Sequence, residues 1–126
     1  MFNHLELEKI LFLDIETVPQ EKEFKNLDQD FKDLWEHKSK YFREQNEMNL
    51  EESYGRAGIY AEFGKIICIS VGLFSFVDGV RQFRVKSFSG HDEKQVLDEF
   101  AELLNTHYNR ADQNLCAHNG KEFDFP

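Results

Sequence analysis

Hydrophobic positions change pattern four times along the chain. Residues 10–13 form a short apolar run, which continues as an alternation of Leu11, Leu13 and Ile15 against Phe12, Asp14 and Glu16. Side chains of an extended chain point alternately to opposite faces, so the run predicts a buried strand with two sides of different character. Pro19 has no N–H for a ladder, and the strand should stop by about Val18. From 20 to about 46 the apolar residues recur at three and four: Phe24, Leu27, Phe31, Leu34, Trp35, and Tyr41 or Phe42. That spacing predicts an amphipathic helix, with Asn26 or Asp28 capping its start. Leu50, Tyr54, Ala57 and Ala61 predict a second helix over 50–61. Gly55 and Gly58 each weaken it by about 1 kcal/mol relative to Ala. Core packing is the commonest fate of such a stripe; a lid or a partner-binding arm are the others.

Residues 64–74 are β-branched and apolar on both faces, the pattern of a central strand. The stretch from Ser75 to Asp78-Gly79 predicts a hairpin turn. Over 80–88, Val80, Gln82, Arg84 and Lys86 alternate with Arg81, Phe83, Val85 and Ser87. This fits a half-exposed edge strand whose Arg84 and Lys86 protect the edge, with nucleic-acid contact as the alternative. Ser89, with Asp92 three residues on, resembles a capping box and opens a helix with Val96, Leu97, Phe100, Leu103 and Leu104 on one stripe. Residues 113–118 predict a short buried strand returning beside the first. Strand, helical insert, hairpin, helix and strand together make an α/β fold with a mixed sheet.

The chain has 126 residues, 40% of them hydrophobic and 13 of them Phe, enough for one modest domain with a core. No apolar run reaches the length of a membrane span, and a start containing Glu6 and Glu8 lacks the basic and apolar regions of a signal peptide. Cys68 and Cys116 stand in apolar runs without a zinc-binding spacing, and read as buried free thiols of a cytoplasmic protein. A net charge of −9 argues against broad binding to a nucleic-acid backbone. It leaves room for an enzyme that holds only a strand end, where bound metal offsets the carboxylates.

Asp14 and Glu16 would share one strand face, roughly 7 Å apart at Cα. Phe12 on that face suggests partial cover, under which two negative charges need a basic partner, a proton or a divalent cation; a hard cation such as magnesium takes oxygen ligands. By itself the pair equally fits an amphipathic strand with a solvated acidic side. The far end of the chain adds a third acid, Asp124, just past a strand end, with Asn119 and Phe123 beside it.

A strand-borne Asp-x-Glu followed by Asn-x-x-x-Phe-Asp resembles the DEDD superfamily of 3′–5′ exonucleases. Within it, the chain is most similar to predicted exonucleases related to the proofreading domain of B-family DNA polymerases. Residues 11–19 look like the first exonuclease motif, 61–70 like the second-strand signature and 118–126 like the second motif, so the resemblance spans essentially the whole chain. It implies a ribonuclease-H-like mixed sheet with flanking helices, and hydrolysis of single-stranded DNA or RNA from the 3′ end with two Mg²⁺ or Mn²⁺ ions. Asp14, Glu16 and Asp124 are then the catalytic metal ligands: Asp14 bridges both ions, Glu16 serves the ion carrying the attacking water, and Asp124 serves the other. Thr17 and the backbone near Ile15 would meet the terminal sugar, while Asn119 and Phe123 position the terminal nucleotides. Lys121 reads as a solvated lysine, with phosphate steering as the alternative. His118 does not match the family's general-base position and reads as structural.

The family's third motif, with a fourth carboxylate and a His or Tyr, is absent from these residues. The expectation is therefore that 1–126 is the N-terminal part of one exonuclease domain, with a helical insertion over about 20–62, truncated before the last strand and helices and inactive alone. Two alternatives share the fold: a non-catalytic nucleic-acid or partner-binding module, and another hydrolase such as an endonuclease. The Asn-x-x-x-Phe-Asp arrangement favours the exonuclease over the endonuclease.

Overall fold

A computed structural model of the chain describes residues 6–118. It is an α/β structure whose strands form one four-stranded mixed sheet, accompanied by helices. The elements are β1 (Ile10–Pro19), α1 (Gln29–Asn46), α2 (Leu50–Tyr54), β2 (Gly64–Val77), β3 (Val80–Ser89), α3 (Glu93–His107) and β4 (Asn114–Cys116). Sheet order is β3-β2-β1-β4, with β2 and β3 antiparallel and β4 parallel to β1. The chain divides into two compact units: Met1–Glu16 with Ile66–Pro126, and Thr17–Lys65.

In the first unit the alternation of β1 decides what is buried. Leu11 and Leu13 are buried with Ile69, Val71, Phe88 and Val96, and Ile15 packs against the same cluster. Phe100, Leu103 and Leu104 of α3, with Tyr108 just past its end, complete it. Leu97, expected on that stripe, is exposed, because the face turned to the sheet is set by Val96, Phe100, Leu103 and Leu104. The N-cap of α3 is Asp92, whose carboxylate accepts from the backbone N–H of Lys94 and Gln95. Ser89, expected to open a capping box, is instead the last residue of β3. Glu93 fastens the helix start to β2, its carboxylate accepting from Ile66 N–H at 2.6 Å.

The hairpin turn is tighter than its sequence suggests. Asp78 and Gly79 both have positive φ, 52° and 78°, the left-handed pair that matches the twist of two strands joined by two residues. So β2 runs on to Val77, with Val77 paired to Val80, where a longer turn was expected from Ser75. β3 is an edge strand, as its alternation predicted. β4 was expected to be buried and is exposed, because it is the other edge and pairs only with Ile10–Phe12 of β1. The loop before it is tied back by Lys9, whose ammonium lies 2.8 Å from the Asp112 carboxylate. Hydrogen bonding and charge attraction in this pair raise Lys9 above, and lower Asp112 below, their usual pKa values.

The second unit builds a core of its own from the polar, aromatic stretch. Leu27, Trp35, Tyr54, Ala57 and Phe63 are buried, with Phe24, Phe31, Phe42, Leu50 and Tyr60 packed around them. Asp28 caps α1, accepting from Phe31 N–H at 2.9 Å. The inward stripe of α1 is Phe31, Trp35, Ser39 and Phe42; Leu34 faces solvent, contrary to the expected stripe, and of the pair Tyr41 and Phe42 it is Phe42 that turns inward. α2 ends at Tyr54, well short of the expected 61, and a 3-10 turn over Ala57–Ile59 follows. Gly55 and Gly58 stand where the helix fails to continue, and Ala61 is exposed.

Tyr54 closes this core at its hydroxyl. The O–H donates to the Glu21 carbonyl at 2.9 Å and its oxygen accepts from Glu21 N–H at 3.2 Å. Burial pushes the phenol above its ordinary pKa of 10.0. A raised folded pKa means that the bond's contribution is complete below pH 10 and is lost as pH rises through the folded value. Tyr54→Phe is expected to cost about 1–3 kcal/mol in denaturant unfolding at neutral pH, because it orphans the two Glu21 backbone groups. A change below a few tenths would show that water replaces the hydroxyl freely.

Candidate functional site

β1 carries the two carboxylates on a rigid backbone. Leu11, Leu13 and Ile15 hold one side of the strand in the core, so Phe12, Asp14 and Glu16 must project from the other. Phe12 is half-buried, but Asp14 and Glu16 are exposed, so the partial cover expected of this face stops at Phe12. The pair is therefore open to water. Like charges at this spacing are cheap there, and the same openness admits a cation.

What covers Phe12 is an aromatic cluster that sequence reasoning did not anticipate. Its ring meets Phe74 and Phe83 edge-on, with centroids 6.0 and 6.4 Å away, and Phe74 and Phe83 lie 4.9 Å apart. The Phe83 ring lies over Gly72: a Cβ there would clash with Phe83 Cζ. The available signal was a glycine in the middle of a largely apolar strand, which marks a close approach. Gly72→Ala is expected to push the Phe83 ring off the strand at a cost of about 1–3 kcal/mol, measured as a lowered denaturant midpoint. An unchanged midpoint would mean that the ring finds an equally good place.

The remaining predicted residues are distributed as follows. Ile15 lies between the two carboxylates with its side chain against the core. Thr17 donates its hydroxyl proton to the Gly58 carbonyl at 2.6 Å, so this group already has a partner within Thr17–Lys65. Asn119, Phe123 and Asp124, together with Lys121, lie outside the described residues. His118 is exposed and is the last residue described. β4 reaches it by running parallel to β1, with Cys116 level with Phe12, so the chain leaves β4 in the direction of the Asp14 end of β1.

Among the described residues no group of three or more His, Cys, Asp or Glu is arranged to hold a metal ion; Asp14 and Glu16 are a pair. Both cysteines are free, but neither is buried as expected: Cys68 is half-buried and Cys116 exposed, because it belongs to the edge strand β4. No helix among the described residues is long and apolar enough to cross a membrane. Comparison with protein-family models, with curated proteins and with solved structures gives no match.

Proposed function

We propose that the chain belongs to a ribonuclease-H-like exonuclease domain that hydrolyses phosphodiester bonds at single-stranded 3′ ends. The observation that carries the reading is the placement of Asp14 and Glu16: neighbours on the solvent side of a central strand whose other side is locked in the core. A site of this kind needs carboxylates held still but open, and β1 provides both. The donor set suits Mg²⁺ or Mn²⁺, which are content with one or two carboxylates, several waters and substrate phosphate oxygens. Bound in pairs, such ions activate water and neutralise charge building on phosphate and leaving oxygen. Asp14 and Glu16 would hold the ions at the strand, Asp124 would add the third carboxylate of the motif, and Asn119 and Phe123 would receive the terminal nucleotides. The free thiols of Cys68 and Cys116 agree with a reducing, cytoplasmic setting.

The experiment is degradation of a 5′-labelled single strand in Mn²⁺ or Mg²⁺, by the 126-residue chain and by the complete gene product. Metal-dependent laddering from the 3′ end by the complete product supports the reading, and its absence from the 126-residue chain supports the need for a third motif. Internal cuts would favour the endonuclease. Exposed Phe76, Phe83 and Val85 favour a second reading, a binding module of the same fold, which strand binding without cleavage would support.

A further inference from the structure

The strand β3 combines three properties that nothing in the nuclease reading uses. It is the outer strand of the sheet, so every second residue turns its N–H and C=O away from β2 toward solvent. It keeps large apolar side chains in water: Val80, Phe83 and Val85 are 61%, 52% and 65% exposed. It also carries Arg81, Arg84 and Lys86 and no acid, in a chain whose net charge is −9. Arg81 is occupied by Glu8 at 3.0 Å, whereas Arg84 and Lys86 make no ion pair among the described residues. The alternation places these features on opposite faces, Phe83 and Val85 on one and Arg84 and Lys86 on the other.

We propose that β3 is a docking edge for an extended peptide of a partner protein in which acidic and apolar residues alternate. Such a peptide would extend the sheet by one strand, pairing with the outward backbone groups of β3. Its apolar residues would lie beside Phe83 and Val85, and its carboxylates beside Arg84 and Lys86. Charge decides against a second copy of this chain, since β3 paired with β3 doubles the cations along one seam. A nucleic-acid strand would satisfy the cations but leave the ladder groups and Val85 in water. Glu99 and Glu102 of α3 share a groove of about 510 Å³ with Lys86, which weights the acidic preference toward Arg84.

The test uses the 126-residue protein and a fluorescein-labelled ten-residue peptide of alternating Glu and Val, read by anisotropy, with an alternating Lys and Val peptide and a dT10 strand beside it. Expected are saturable binding of the acidic peptide, weakened by salt, and slowed amide exchange confined to β3 and its hairpin partner. Arg84→Glu with Lys86→Glu should weaken that peptide about tenfold or more and raise affinity for the basic one. Arg84→Gln with Lys86→Gln should fall between, and circular dichroism checks that both variants keep the fold. Absence of binding at millimolar protein, equal binding of both peptides, or protection away from β3 would overturn the proposal. Displacement of the acidic peptide by dT10 at lower concentration would assign the edge to nucleic acid instead.

Discussion

Asp14→Asn is expected to lower metal-dependent 3′–5′ cleavage by the complete gene product roughly a thousandfold, equivalent to about 4 kcal/mol of transition-state stabilisation. Asn keeps the shape of the side chain and removes the charge that holds a hard cation. Because Asp14 is exposed on β1 and its neighbours Leu13 and Ile15 carry the packing, the same change should move stability by no more than about 0.5 kcal/mol. This separation makes the variant informative: lost activity with an unchanged unfolding midpoint assigns the loss to chemistry. Cleavage at the wild-type rate would remove Asp14 from the site and with it the exonuclease reading. Raising the Mn²⁺ concentration should recover part of the lost rate if the defect is weakened metal binding.

The largest expected effect on stability belongs to Trp35. It is fully buried, and its ring meets Phe42, Tyr54, Tyr60 and Phe63 edge-on at 5.0–5.9 Å between centroids. Its indole N–H donates to Ser53 Oγ at 3.1 Å, and that hydroxyl donates in turn to the Leu50 carbonyl at 2.7 Å. Trp35→Ala removes the centre of this arrangement and leaves a cavity lined by aromatic edges, at an expected cost of about 3–5 kcal/mol. That is a large share of the roughly 5–15 kcal/mol available to a natural domain. Unfolding followed by circular dichroism measures it, since the sequence has a single Trp and the variant loses that fluorescence. Amides of α1 and α2 should lose exchange protection first. A shift under about 1 kcal/mol would show that the surrounding rings close over the gap.

The aromatic cluster on the open side of the sheet and the core around Trp35 illustrate different degrees of legibility. Phe12, Asp14 and Glu16 were assigned to one side of a strand from period alone, and they project from one side of β1, opposite the core. The sequence could not reveal that Phe83 reaches across β2 to lie over Gly72, since that depends on hairpin register. Nor could it choose between Leu34 and Trp35, or between Tyr41 and Phe42. Neighbouring residues on a helix differ by about a hundred degrees in direction, and the position of Tyr54 and Phe63 decides which is covered.

The sequence by itself determined the strand-borne carboxylate pair, the hairpin at Asp78-Gly79, the edge character of β3 and, apart from Leu97, the core stripe of α3, because period, turn chemistry and charge act over a few neighbouring residues. Only the tertiary structure decided that Asp92 rather than Ser89 caps α3, that β4 is an exposed edge, and that the Thr17 hydroxyl is held by the Gly58 carbonyl. Each of these depends on partners distant in sequence or on which strand ends up outermost. Such partners meet only when burial of the apolar faces brings them together.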